Sequence, residues 1–273
     1  CDLAHIIIDD RKIDSMIKPY FLFLLIIGTK WVESADWPKE MFNVSIVTLG
    51  DSLTHGMVVG GEGRSRHDVH HHPYSKTLAE RFISDHLNVT VLEQGVDGEL
   101  TDSMIHRLPP ILERSASETD QNLLLPPIKF VTILGGTNDL GHRVPADIIL
   151  NRLLKLHQLV QEHAIRTGHN VYTVAIGIPE VSWAINQEDR IKVNIGLKDY
   201  AKRCSKVVSY LDWEEDFLQS IPEHAKYWSV DTVHFSDEGY RYIGNLLYRH
   251  MQKFLEEKPE ATMHMLEINS PCQ

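Results

Sequence analysis

Cysteine is scarce in this chain: its 273 residues include 3, at Cys1, Cys204 and Cys272, and none belongs to a Cys-x-x-Cys pair. That excludes a small disulfide-stapled domain and a cysteine-built zinc ribbon. Cys204 and Cys272 could pair in an oxidising compartment, but spacing alone does not establish it. Positive charge is short as well. The 27 Lys and Arg are outnumbered by 38 Asp and Glu, for a formal net charge of −11. Nucleic acids and anionic membranes repel such a protein, so no nucleic-acid partner is expected. The apolar run Tyr20 to Ile27 is too short to cross a bilayer comfortably, and no stable membrane span is expected. Linkers rich in Pro, Gly and Ser are missing, as are internal repeats. So are the phosphate cradle Gly-x-x-x-x-Gly-Lys-Ser/Thr and the nucleophile elbow Gly-x-Ser-x-Gly.

What remains is enough sequence for one large domain with a sizeable core. Apolar residues make up 42% and charged ones 24%, the balance of an ordinary globular chain. The N-terminus stands apart. Met16-Ile-Lys18 precedes Tyr20 to Ile27, and small residues follow at Ser34 and Ala35. A basic start, a short apolar run and a small-residue site describe a secretory signal peptide. The same run would also serve as a buried strand or helix of the fold. On the signal reading, residues 1–35 are upstream sequence plus a leader starting at Met16, residues 36–273 are the domain, and the destination is secreted or endomembrane. The sequons at Asn43 and Asn88 are compatible with that destination and with glycosylation.

Five apolar, β-branched runs recur along the domain: Val44 to Leu49, Val89 to Leu92, Phe130 to Leu134, Val171 to Ile176 and Val207 to Leu211. Short, nearly continuous runs of this kind suit a parallel sheet covered on both faces. Helical segments lie between them. Pro73 opens one running to about His86; Thr101 caps a second, which carries Met104, Ile105 and Leu108 before Pro109-Pro110. Pro145 and Gly168 bound a long third helix, with Ile149, Leu153, Leu156 and Val160 on one face, and Ser236 caps the last. The pattern predicts an α/β protein, a three-layer α/β/α sandwich on a central, mostly parallel five-stranded sheet. Ligands of such sheets bind beyond the carboxyl ends of the strands.

The unusual residues fall at those ends. Ser52, in Gly50-Asp51-Ser52-Leu53, follows the first strand, although a serine there is as often a helix N-cap. Gly95 follows the second strand in a loop with Gly98, where glycines allow close backbone approach or merely a turn. Asn138 follows the third, where its amide suits an oxyanion or an Asx-turn. Asp231 and His234 lie near the far end. A serine hydroxyl needs an adjacent base, and the base needs an orienting group.

These four ordered blocks resemble the GDSL/SGNH hydrolase superfamily, over roughly residues 44–255. Gly-Asp-Ser-Leu alone is a weak signal; four blocks on successive strand ends are a specific one. The resemblance implies a flavodoxin-like SGNH fold and a carboxylic ester hydrolase that forms an acyl-enzyme on Ser52, with His234 as base and Asp231 as its orienter. It also implies an oxyanion hole made of the Ser52 and Gly95 amides and Asn138. Glu93 departs from the pattern, since relatives often carry Asn two residues before the glycine. No cofactor is expected. Among 16 histidines, His70 and His72 could bind a metal, but no Cys, Glu or Asp cluster completes a zinc pattern, and none is expected. Met57 to His72 reads as a mobile polar rim, which favours short acyl esters or acylated carbohydrates over long-chain lipids. Asp51 is a candidate substrate contact. Trp183 could stack on a sugar or pack on the core. A lysophospholipase, a thioesterase, an acyltransferase or a silent binding protein would share these residues.

Overall fold

The run Val44-Ser-Ile-Val-Thr-Leu-Gly50 forms strand β1, in which every residue is buried, as a strand covered on both faces requires. It lies between β4 (Val89–Gly95) and β5 (Ile128–Leu134), followed by β6 (Tyr172–Ile176) and β7 (Val208–Leu211). All four pairings are parallel, so the five-stranded sheet, in the order β4-β1-β5-β6-β7, is parallel throughout. The computed structural model describes residues 37, 41–61, 65, 67–114, 125–181 and 186–257, all within the compact unit Trp37–Gln273. The leader expected over residues 1–35, Trp183 and Cys272 lie outside the described residues. Cys204, 2% exposed, is disulfide-bonded.

Between β1 and β4 come the short helix α1 (Ser52–His55), strands β2 (Met57–Val59) and β3 (Val69–His71), and helix α2 (Tyr74–Ser84). Helices α3 (Thr101–Glu113), α4 (Thr137–Gly141), α5 (Ala146–Thr167), α6 (Gln187–Arg203) and α7 (Asp237–Glu256) complete the set. Alternate strand residues serve the two faces. Val47, Leu49, Val131, Ile133 and Ala175 join Met104, Leu108, Ile149, Leu153, Val193 and Leu197 of α3, α5 and α6 in one core cluster. On the opposite face Phe130 meets Phe254 of α7, with ring centroids 6.3 Å apart, and α2 packs along α7. Among the described residues no helix is long and apolar enough to cross a membrane.

Two helix boundaries differ from expectation. Helix α3 runs through Pro109 and Pro110 to Glu113. A proline inside a helix costs about 3 kcal/mol, but Pro110 is exposed and the turn beyond it buries Ile111 and Leu112. Those two side chains contribute about 1.5–3 kcal/mol each, which offsets the break. Thr101 is not the cap: Leu100 is, and the Thr101 amide and hydroxyl both donate to the buried Asp139 carboxylate, at 2.9 and 2.7 Å. Ser236, as expected, caps α7 by accepting from the Gly239 amide.

Candidate active site

Gly50 ends β1 where the chain must turn within contact of its neighbours. A Cβ there would stand 2.1 Å from Thr54 Oγ1 and 2.4 Å from the Leu134 carbonyl oxygen, so only glycine fits. Asp51 then caps α1, its Oδ1 accepting from the Leu53 amide at 2.9 Å, and Ser52 becomes the first helical residue. Its side chain is nearly enclosed, with 7% of the residue exposed.

The fourth block arrives from the other end of the chain. Asp231 Oδ1 accepts from the Val233 and His234 amides at 3.1 and 3.0 Å, and Oδ2 meets His234 Nδ1 at 2.6 Å. One carboxylate therefore shapes the turn and grips the imidazole it carries. Burial would raise the Asp231 carboxyl, but the His234 ring and the two amides outweigh it and hold it below the usual carboxylate range. An ionised carboxylate can only accept, so Nδ1 carries the proton and Nε2 of the neutral ring is left as an acceptor. Nε2 lies 2.8 Å from Ser52 Oγ. Beneath this loop, Phe235 packs against Trp213, Phe217 and Trp228, a rigid floor that fixes the imidazole. The structure thus brings Ser52, His234 and Asp231 together in one hydrogen-bonded line.

The expected oxyanion donors are only partly in place. Asn138, in the first turn of α4, points its amide nitrogen at the Glu99 carbonyl, 3.1 Å away, and at Asp51 Oδ2, 3.4 Å away. The Gly95 amide is already given to the Glu93 carboxylate on the same strand, so it is not free to receive an oxyanion. Burial raises the Glu93 carboxyl, and the Gly95 hydrogen bond opposes that rise. The sequence marks Glu93 as a departure but does not show its side chain curling onto Gly95. In the turn that follows, the Glu99 N–H closes on the Val96 carbonyl at 3.1 Å, with Gly98 at φ 74° in the left-handed position. Among the described residues neither the Gly98 nor the Ser52 amide donates to a protein acceptor.

Asp51, expected at the substrate, is instead fully buried under Ser52, because an N-cap side chain folds back over its own helix. Burial pushes its carboxyl up to about 7, against the Leu53 amide and the nearby His234 ring, which pull it down. The stretch expected as a mobile rim contains an antiparallel ribbon, β2 with β3. Tyr240 Oη donates to the Met57 carbonyl at 2.9 Å, and the Val59 amide donates to Ser229 Oγ at 3.1 Å, fastening the ribbon to the His234 region. Two supports escape the sequence. Arg107 donates to the Gln94 carbonyl and to the Glu99 carboxylate, bracing the loop after β4. Asp139 ties α4 to α3 through Thr101 and reaches Arg152 Nη1 at 3.2 Å. Neither partnership has a local spacing that would disclose it.

A family model, that of the GDSL-like lipase/acylhydrolase family, matches residues 48–242. The chain belongs to this family, which supports ester hydrolysis as its chemistry. Solved structures share the fold at low identity. A lipase/acylhydrolase from Enterococcus faecalis is 18% identical with a TM-score of 0.55, covering 77% of this chain and 96% of its own. A psychrotrophic esterase from Pseudoalteromonas sp., solved inhibited by monoethylphosphonate, is 17% identical with a TM-score of 0.55, covering 78% and 99%. A carbohydrate acetylesterase from Sinorhizobium meliloti is 17% identical with a TM-score of 0.53, covering 77% and 99%. No curated protein sequence gives a significant match.

Proposed function

We propose that the protein is a serine-dependent carboxylic ester hydrolase. Ser52 Oγ attacks the ester carbonyl while His234 Nε2 takes its proton, and Asp231 holds the imidazole and stabilises its charged form. The alcohol leaves with a proton returned by His234, and water, activated by the same ring, releases the acid from Ser52. The oxyanion is received by the Ser52 amide and by the Asn138 side chain, which gives up its long 3.4 Å contact with Asp51, with the Gly98 amide in place of Gly95 as the third donor. The observation that carries this reading is the line Ser52 Oγ to His234 Nε2 at 2.8 Å and His234 Nδ1 to Asp231 Oδ2 at 2.6 Å. Short acyl esters and acylated carbohydrates are the proposed substrates. The histidines His70 and His71 on the ribbon near the nucleophile support this, as does a carbohydrate acetylesterase among the structures that share the fold.

The test is Ser52→Ala on p-nitrophenyl acetate, with fluorophosphonate labelling of the wild type. A loss on the order of 10⁵–10⁶ in kcat is expected, together with one adduct on Ser52. Wild-type turnover by the folded variant, or a label elsewhere, would refute the assignment. A panel of acyl lengths and acetylated sugars then reads the preference. The secreted or endomembrane destination is part of the same proposal, supported by the disulfide at Cys204 and by exposed sequon asparagines at 43 and 88. A mobility shift on deglycosylation of native material checks it.

A further inference from the structure

The histidine-rich strand β3 splits its side chains between two places. His70 and His72 turn toward Asp237, with His70 Nε2 at 2.8 Å and His72 Nδ1 at 3.6 Å from its Oδ1. His71, on the alternate face, turns the other way. It meets His55, the last residue of α1, and Asp97, in the turn that holds Gly98. His55 Nδ1 lies 3.0 Å from Asp97 Oδ1, and His71 Nε2 lies 3.2 Å from Oδ2. The two rings face each other with centroids 3.8 Å apart and a 31° tilt. One ligand atom from each residue lies within 4.8 Å of the other two, and among the described residues this is the one cluster with such spacing.

We propose that His55, His71 and Asp97 form a binding site for a divalent transition-metal ion of the Zn²⁺ type. Two imidazole nitrogens with one carboxylate suit such an ion, whereas Ca²⁺ and Mg²⁺ prefer all-oxygen sets. Zinc bonds of about 2.0–2.1 Å in a tetrahedron put neighbouring ligand atoms about 3.3 Å apart. The nitrogen–oxygen separations, 3.0 Å to Oδ1 and 3.2 Å to Oδ2, run to different oxygens of Asp97; one ligand atom from each residue lies within 4.8 Å of the others, so the side chains close by up to about 1.5 Å to reach that edge. The three side chains are each about one-third exposed, at 37%, 35% and 37%, so an ion has a path in and water can fill the fourth position. The carboxylate of Glu93 adds negative charge beside His55 and Asp97. The ligands come from the nucleophile's helix, the ribbon and the turn carrying Gly98. A bound ion therefore fastens three elements that border Ser52, without touching the reacting atoms.

The test uses the full, tag-free protein stripped with a chelator and titrated with Zn²⁺ by calorimetry, beside His71→Gln and Asp97→Asn. The wild type is expected to bind one equivalent, and each variant to bind at least about tenfold more weakly while keeping wild-type circular dichroism. No binding by the wild type, or wild-type affinity in folded His71→Gln, overturns the proposal. Nitrogen-15 chemical shifts of the wild-type imidazoles give a readout that needs no variant. Zinc should move His55 Nδ1 and His71 Nε2, and a shift confined to His70 and His72 would overturn the site. Neither measurement depends on ester hydrolysis.

Discussion

Two aspartate–histidine pairings sit close together on this molecule and do different work. Asp231 holds His234 through three hydrogen bonds, two of them to the backbone of the loop that carries the ring. The far nitrogen of that ring meets a serine hydroxyl. Asp237, at the start of α7, meets His70 and His72 through one carboxylate oxygen. The far nitrogens of those rings, His70 Nδ1 and His72 Nε2, are buried without hydrogen-bond partners. Proximity of a carboxylate to an imidazole is thus common to both. On the proposed reading, what sets His234 apart as a general base is a carboxylate locked to its own turn and a serine hydroxyl on the opposite nitrogen. At Asp237 the same two residue types pin a ribbon to a helix.

The widest separation between the two pairings comes from Asp231→Asn. The amide would still fill the turn, but it also offers a donor where the carboxylate only accepts, so the wrong tautomer of His234 becomes available. A fall of about 10³–10⁴ in kcat is expected, with little change in KM. Steady-state kinetics on p-nitrophenyl acetate measures it, and a loss under tenfold would mean that Asp231 does not orient His234 in the reaction. Asn138→Ala follows, with a fall on the order of 10²–10³ if its amide receives the oxyanion. A change confined to KM would assign Asn138 to ground-state binding instead.

Asp51 supplies a prediction of the opposite sign. Its carboxyl is raised by burial to about 7, so the folded protein keeps a proton that the unfolded chain releases above about pH 4. The unfolded state is then the better acid, and this residue's contribution to stability is lost as pH rises from about 4 to about 7. Asp51→Asn removes that dependence while keeping an oxygen for the Leu53 amide. Subtracting its stability curve from the wild type's should show a loss on the order of 4 kcal/mol across that window. The subtraction matters because His157, buried and lowered to about 3, acts the other way. Its neutral ring loses stability as pH falls below the ordinary histidine range. A flat difference curve would mean that Asp51 is ionised in the folded protein.

The strands were legible because each holds a local run of β-branched and other apolar residues, as a parallel sheet covered on both faces favours. Ser52 and Asn138 were legible because they directly follow strands β1 and β5, and Asp231 and His234 because a three-residue spacing puts a carboxylate within reach of the ring. The misreadings share one cause. Pro109 and Pro110 look like a stop until Ile111 and Leu112 are seen to bury beyond them. Gly95 looks like a donor until Glu93 is seen to take its amide. The ribbon looks like a loose rim until Tyr240 and Ser229, more than a hundred residues away, are seen to hold it. Each outcome depends on a partner distant in sequence or on a side-chain rotamer, and neither is written in local spacing. The pairing of His71 with His55 rather than with its neighbours has the same origin, the twofold alternation of a strand whose register was not apparent.

The smallest effect belongs to the second pairing. Asp237 is 41% exposed, so solvent screens its attraction to the two histidines, and the pair contributes little of its own. It also stands in the first turn of α7 beside Glu238, where a negative charge is favoured by the helix dipole by about 0.3–1 kcal/mol. Asp237→Asn should therefore lower stability by no more than about 1 kcal/mol, read from the midpoint of a urea titration. Turnover should be almost unchanged, because the line from Asp231 through His234 to Ser52 does not pass through this residue. The ribbon, still held by Tyr240 and Ser229, should keep its place. A drop in kcat comparable to that of Asp231→Asn would erase the distinction between the two pairings, since Asp237 would then be orienting His234 through the loop between them.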